Sequence, residues 1–569
     1  MNINILILPF IFLLIFISKT DVKNQSSPIE IEEMSINKFE HDVCKNQIKK
    51  NKEFNDKIQK PTFSEKLDLL NKPNVLFIIC DDLNDWALHP PGHPKSKIQN
   101  IDHLSKQGVV FSNAHTPVPV CGPSRVCLMS GLYPHSINNF GFSKLDKIQG
   151  LKSRILIPLQ FRNNGYNVYG TGKLFHEGKG GDFYTEYGIK PDYGPWPWKG
   201  KGNAEWTAHS NHYDQWKEYL PIYDMHRDLD YAPLSDIPQW KADKENDIPG
   251  AKGWYNGNSN KPFKYIDSYN RDKLPDEISA DFAIDVLGRK HDNPFFLGVG
   301  FIRPHTPLYV PEEYFKLFPI NQITLPPYLK GDREDCAHTL KNRWVWGFKK
   351  YEALIKAGGD KAWKEWIQAY LASMAFVDEQ IGRIIDALNN SSHKANTIII
   401  LTSDNGYHIG EKDCIQKWHL WNESTKVPLF VSILDSKKDK LICNKPVSLI
   451  DLYPTLLDIC QLTENTNGNN GYKGFDGKSL VPLLKSPEND QWENRPILTA
   501  IQNNKLFEET REIHYSVVDN KYRYTLCSDG DEELYDHEKD PNEWVNLAKK
   551  MNYFKVKKNL KHQMKMILK

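Results

Sequence analysis

Cys121-Gly122-Pro123-Ser124-Arg125, with Ser130-Gly131 behind it, is the segment of this chain best equipped for chemistry. A thiol shortly before a guanidinium, with a proline fixing the backbone between them, sets a nucleophile beside an anion holder. Alone, the pentapeptide also reads as a tight turn ahead of a helix. Four other segments add weight, because each is a short apolar strand ending in residues that bind a metal, an anion or a proton. Residues 74–80 end in Asp81-Asp82, and residues 397–401 lead to Ser403-Asp404-Asn405-Gly406. Carboxylate and amide oxygens brought together suit a hard divalent cation, Ca²⁺ or Mg²⁺. The competing reading is that an aspartate after a strand caps the next helix. Residues 166–169 lead into Gly170-Thr171-Gly172-Lys173 and on to His176, and residues 295–301 into Arg303-Pro304-His305-Thr306-Pro307. Lys173 offers a point charge to an anion, and His305, held between prolines, is placed to exchange a proton. Lys417 lies a short loop beyond Asp404 and closes the far side, with Lys412, His408 and His419 as competitors.

Open α/β sheets bind ligands at the carboxyl ends of their strands, so these residues converge only if their strands share one sheet. The continuous apolar run 74–80 has the pattern of a strand buried on both faces. Beyond it, helix-like stretches at 100–107, 155–163, 279–290 and 367–388 alternate with strand-like stretches at 109–111, 166–169, 295–301, 397–401 and 427–433. The alternation predicts an α/β fold: a large, mostly parallel central sheet sandwiched by helices. This domain spans 71–464 and carries an insertion, 181–275, crowded with glycine, proline and aromatic residues. Trp196, Trp198, Trp206, Trp216, Trp240 and Trp254 read as local core of the insertion, the alternative being a pocket wall for sugar rings. Residues 465–471 resemble a linker into a smaller C-terminal α+β domain, 465–569, with a hairpin-like pair at 513–518 and 522–526 and a final basic helix.

Charge excludes some partners. With 73 basic residues against 72 acidic ones, the chain has no overall pull toward nucleic acid or an anionic membrane. Residues 1–20 are an apolar run of signal-peptide length, followed by a polar linker at 21–70. An exported protein without stable membrane insertion is expected, periplasmic or secreted, or lysosomal in a eukaryote. The nine cysteines are an odd number, which leaves one thiol for another task.

Taken together, these segments resemble the type I sulfatases of the alkaline phosphatase superfamily, from about residue 74 to 434 and more loosely to the C-terminus. C-x-P-S-R followed by Ser-Gly is that family's signal for oxidation of the cysteine to formylglycine, and Cys121 to Gly131 match it without a gap. Asp81-Asp82, Gly172-Lys173-x-x-His176, Arg303-Pro304-His305-x-Pro307 and Ser403-Asp404-Asn405-Gly406 with Gly410-Glu411 match further segments in order. The iduronate sulfatase branch is the most similar, although it often has Asp-His where this chain has Asp404-Asn405. The resemblance implies an alkaline phosphatase-like fold and a sulfatase acting on a sulfated oligo- or polysaccharide, ulvan-like or glycosaminoglycan-like. It implies one Ca²⁺ held by Asp81, Asp82, Asp404, Asn405 and residue 121, and a formylglycine-generating maturation enzyme as partner. Arg125 would stabilise residue 121, and Lys173 and Lys417 would neutralise sulfate charge. His176 would orient or deprotonate the nucleophile, and His305 would protonate the leaving oxygen. The alternatives are a phosphodiester or phosphonate monoester hydrolase on the same scaffold, and an inactive glycan-binding relative.

Overall fold

Every residue of strand β1 (Asn74–Asp81) is buried, because both faces of the sheet around it are covered. Successive side chains of a strand point to opposite faces, and β1 divides accordingly. Leu76, Ile78 and Cys80 join one apolar cluster with the helices Pro275–Gly288 and Trp346–Asn389, while Val75, Phe77 and Ile79 join another with the helices Cys121–Ser130 and Leu452–Cys460. The computed structural model describes residues 60–84, 97–152, 154–176, 178, 180–205, 207–212, 229–257, 259–342, 346–437, 440–463, 474–503 and 512–569. The expected signal segment, most of the polar linker, the 465–471 connection, Trp206 and Trp216 lie outside these residues.

After β1 the central sheet takes in β2 (Gly108–Phe111), β3 (Asn167–Gly172), β4 (Glu186–Tyr187), β5 (Phe295–Pro304), β6 (Thr397–Ser403), β7 (Leu429–Ser432) and β8 (Leu441–Cys443). The strand order is β8-β2-β7-β6-β1-β5-β3-β4. All pairings are parallel except those of β7, which runs antiparallel to both β6 and β2. This is the expected mostly parallel sheet between helical layers. One layer contains α1 (Cys121–Ser130) and α4 (Leu452–Cys460), the other α2 (Pro275–Gly288) and α3 (Trp346–Asn389). A four-stranded antiparallel sheet follows: β9 (Ile497–Gln502), β10 (Ile513–Val518), β11 (Tyr522–Leu526) and β12 (Glu532–Asp536), then the basic helix α5 (Phe554–Ile567). Leu498, Val517, Tyr524 and Leu534 of this sheet share the apolar cluster of Val75 and Phe77, so the C-terminal strands are part of the same core.

Several local expectations change. Helix α3 begins well before residue 367 and has a break at Gly359, whose φ of 59° no side-chain-bearing residue adopts readily. The stretch 427–433 is divided by Pro428, which has no N–H for a ladder. Lys426–Val427 pairs with Ala114–His115, whereas β7 lies in the central sheet. In the insertion, Trp196 and Trp254 are buried, and Trp254 Nε1 donates to the Leu234 carbonyl at 2.9 Å, as local core requires. Among the described residues no cysteines are paired, and no helix is long and apolar enough to cross a membrane.

Glycines set how closely β3 and β5 approach at the end that matters. Gly172 has φ 68° and Gly300 faces it; a Cβ on Gly300 would lie 2.1 Å from the carbonyl carbon of Lys173. Gly300→Ala is therefore expected to destabilise by about 1–3 kcal/mol in urea unfolding and to displace Lys173. Gly288→Ala, with nothing near its Cβ position, should be neutral or slightly stabilising.

Candidate active site at the strand ends

The register of the central sheet makes four strand ends level. Cys80 pairs with Ser403, so the next residues, Asp81 and Asp404, emerge side by side. An irregularity in the β1–β5 ladder sets Asp81 opposite Pro304, which brings His305 to the same rim. Gly300 pairs with Gly172, and Lys173 follows. The Cys121 pentapeptide is not a separate turn: it forms the first turn of α1, with Val120 as the extended N-cap. Pro123 is tolerated there because that N–H has no acceptor within the helix. Cys121 and Arg125, one turn apart, share a face. Ser124 Oγ donates to the Asp404 carbonyl at 2.5 Å and so ties α1 to β6.

All the side chains selected from sequence except Cys121 and His176 are joined in one network of hydrogen bonds and ion pairs. Arg125 Nε donates to Asp404 Oδ2 at 2.7 Å and its Nη2 lies 4.0 Å from Asp81 Oδ1, while Nη1 donates to the Lys173 carbonyl. Lys173 Nζ pairs with Asp81. Lys417 Nζ is 2.5 Å from Asp82 Oδ1 and 3.9 Å from Asp81 Oδ1. Asn405 Nδ2 donates to Asp82 Oδ1 at 2.7 Å. His305 Nδ1 is 2.6 Å from the Thr306 carbonyl, which assigns the proton to that nitrogen and turns Nε2 toward Asp82 Oδ2, 3.7 Å away. Ligand atoms of Asp81, Cys121 and Asp404 lie within 4.8 Å of one another. His176 stands at the edge, its ring 4.5 Å from Phe142, and hydrogen-bonds none of them. The competitors of Lys417 face elsewhere. Lys412 Nζ is held by Asp332 at 3.0 Å and the Glu543 carbonyl at 2.6 Å, His408 Nδ1 lies 2.9 Å from Ser424 Oγ, and His419 stacks on Trp421 at 4.3 Å.

Three carboxylates so close strain one another electrostatically. Burial would raise Asp81, but Lys173, His305, Lys417 and Arg125 outweigh it and hold its carboxyl well below the usual range. Asp82 is pushed up to about 8 by burial, with Asp81 and Asp404 adding to it against Lys417. Burial also raises Asp404 despite Arg125. The ammonium and guanidinium groups match the three carboxylates in number, yet they do not offset the cost of burying Asp82 and Asp404. Two buried oxygens, Asp81 Oδ1 and Asn405 Oδ1, have no hydrogen-bond partner. Hard oxygen donors with unused lone pairs fit a divalent cation. Ca²⁺ binds oxygen at roughly 2.3–2.6 Å, so atoms across one ion stand up to about 5 Å apart. Donor atoms of Asp81, Cys121 and Asp404, all within 4.8 Å of one another, are close enough to share one ion.

Sequence reasoning missed several supporting residues. Tyr193, in the insertion, places its ring 5.1 Å from Lys173 Nζ and 5.1 Å from the His305 ring. Tyr370 of α3 donates to the Asp82 carbonyl at 2.8 Å and accepts from Asn84 N–H at 2.8 Å. Asp276 accepts from the N–H groups of Ile302 and Arg303 at 2.8 and 2.9 Å, bracing the end of β5. Nothing local marks them: Tyr370 looks like one more core position of a helix, and Asp276 like an ordinary first-turn acid.

The sequence profile described as Sulfatase matches residues 73–462, well over half of the chain. The chain belongs to the sulfatase family. Its class of reaction is thus the hydrolysis of sulfuric esters. A second profile, N-sulphoglucosamine sulphohydrolase, C-terminal, matches residues 410–569 of this sulfatase. The sulfatase is 34% identical over 503 residues to a sulfatase of Formosa agariphila, covering 86% of this chain and 85% of the relative. It is 28% identical to the iduronate 2-sulfatase of Mus musculus, over 63% of this chain and 59% of that protein. An ulvan-active sulfatase of Formosa agariphila is 24% identical over 86% of this chain and 80% of its own length. The phosphonate monoester hydrolase of Agrobacterium radiobacter shares the fold, with a TM-score of 0.61 at 21% identity, over 87% of this chain and 95% of that one. The family, the iduronate 2-sulfatase kinship and the alkaline phosphatase-like fold agree with the resemblance read from the motifs.

With divalent metal removed by a chelator, Arg125→Met is expected to cost about 3–5 kcal/mol, because it leaves buried carboxylates without a partner. Chemical unfolding in chelator would measure this, and a loss below roughly 1 kcal/mol would contradict the network described.

Proposed function

We propose that this sulfatase removes O-sulfate esters from a uronate-containing sulfated polysaccharide or its oligosaccharides, using residue 121 oxidised to formylglycine and one Ca²⁺. The observation that carries the proposal is the meeting of donor atoms from Asp81, Cys121 and Asp404 within 4.8 Å, with Lys173 and Lys417 on the same rim. The names of two relatives, an ulvan-active sulfatase and an iduronate 2-sulfatase, support the substrate class. Such polymers lie outside cells, in keeping with the apolar run at the N-terminus.

In this reading a maturation enzyme oxidises the Cys121 thiol to an aldehyde, which hydrates to carry two hydroxyls on one carbon. One oxygen attacks sulfur while the sugar oxygen departs with its bonding pair and takes a proton. The second hydroxyl then loses its proton, its electrons form the C=O bond, and the carbon–oxygen bond to sulfate breaks. An unmodified serine or cysteine has no second hydroxyl with which to expel sulfate. Ca²⁺, held by Asp81, Asp82, Asp404 and Asn405 with residue 121, would supply Lewis-acid polarisation. Arg125 fixes Asp404 and stabilises residue 121, and Lys173 and Lys417 meet the charge that builds on the sulfate oxygens. Burial, with Lys173 nearby, lowers His176 to about 3, so it is neutral and able to orient the hydrate or accept its proton. His305 donates to the leaving oxygen. Burial holds it well below its usual range in the free site, and the negative charge of a bound sulfate ester raises it.

Protein co-produced with a formylglycine-generating enzyme is expected to release inorganic sulfate from sulfated, uronate-containing oligosaccharides. It should act faster on a sulfate ester than on a phosphodiester with the same leaving group. Cys121→Ala should lower kcat by roughly 10⁴ or more. Absence of sulfate release from any sulfated glycan would end the proposal. Ca²⁺ at a hundredfold excess over its Kd should add about 2.7 kcal/mol of stability, an increment that Asp404→Ala abolishes and that thermal unfolding measures.

A further inference from the structure

A cleft of about 440 Å³ opens directly off the first turn of α1, bounded by Gly122, Phe142, Lys144, Asp146, His176 and Lys190 among others. Small-molecule sites run to roughly 300–1,000 Å³, so this volume holds much more than a sulfate group. Its floor is Phe142, packed so close over Gly122 that a Cβ at position 122 would come within 2.7 Å of the ring. The phenyl remains 47% exposed, 4.5 Å from the His176 ring and 6.1 Å from that of Trp418. A large aromatic face left open beside a buried reaction centre matches the apolar face of a sugar ring. Among the described residues the walls carry more positive than negative side chains. Lys144 and Lys190 are both exposed, and neither has an ion-pair partner among the described residues. Asp146, also in the lining, lies 3.5 Å from Lys147. The proposed chemistry uses only His176 of this group.

We propose that this cleft sets substrate specificity: Phe142 stacks on a sugar ring of the substrate, and Lys144 and Lys190 bind an anionic substituent beyond the scissile sulfate. Two ammonium groups without an ion-pair partner among the described residues give the cleft a positive field that a neutral sugar does not need. The substituent is a carboxylate or a second sulfate, and both present the same oxygen acceptors to an ammonium. This inference rests on the sulfated-carbohydrate reading and assigns recognition of the substrate's second negative charge to this cleft.

The test compares wild type with Lys144→Gln/Lys190→Gln, Lys144→Arg/Lys190→Arg and Phe142→Ala. Each, placed in a Cys121→Ala background so that no ligand is turned over, is titrated calorimetrically with desulfated uronate oligosaccharide, its uncharged carboxyl-reduced counterpart and a carboxyl-reduced counterpart bearing two sulfates. Because exposed charge contacts are individually weak, the glutamine pair should lose roughly three- to thirtyfold in affinity for the anionic ligands. Affinity for the uncharged ligand should change much less, and the arginine pair should recover most of the loss. Phe142→Ala should weaken all three ligands together. A loss confined to the uronate ligand identifies the carboxylate as the group bound, and one confined to the doubly sulfated ligand identifies the second sulfate. Equal affinity of wild type and the glutamine pair for both anionic ligands overturns the inference. Because binding is read without turnover, a protein that shows this discrimination but releases no sulfate retains the subsite and loses the catalytic proposal instead.

Discussion

The site depends on one electrostatic conflict, the gathering of Asp81, Asp82 and Asp404 in a space from which water is excluded. Like charges at this spacing oppose ionisation, and the protein answers with Arg125 against Asp404, Lys173 against Asp81 and Lys417 against Asp82. The compensation is uneven, which is why Asp81 is held low while its two neighbours are pushed up. With a cation already set against each carboxylate, what the centre leaves open to a divalent cation is a pair of oxygens without hydrogen bonds, Asp81 Oδ1 and Asn405 Oδ1.

What brings these charges together is backbone register more than side-chain packing. The pairing of Cys80 with Ser403 and of Gly300 with Gly172 places residues distant in sequence at one level, and each strand then delivers its next one or two residues to the rim. Such a site tolerates little slippage, since a one-residue shift would turn Asp81 or Asp404 to the other face. Asp82, with φ 62°, shows how sharply the chain must turn at the rim to set two successive carboxylates on one centre.

The strand ends were legible in the sequence because fully buried strands leave long apolar runs, and the polar residues that stop such a run stand out. Residues 74–82 and 397–405 show this directly. What stayed hidden arrives from distant elements without a local signal: Tyr193 under Lys173, Tyr370 on the Asp82 carbonyl and Asp276 at the end of β5. The beginning of α3 was obscured by the glycine pair at 358–359, which reads as a loop although the helix resumes beyond it. Pro428 had the opposite effect, hiding a division within a stretch that looks like one strand. Spacing could favour Lys417 but not exclude Lys412, His408 and His419, because Lys412 is drawn away by the carbonyl of Glu543, in the loop that follows β12.

The position of Cys121 has a temporal consequence. Only 2% exposed, at the start of a helix whose ten residues are all buried, it offers no surface into which a second protein could insert an active site. Any enzymatic conversion of that thiol must therefore act on nascent or unfolded polypeptide, before α1 docks against the sheet. If the thiol is converted as proposed, biosynthesis is a race between modification and folding, in which molecules that fold first retain an unconverted thiol.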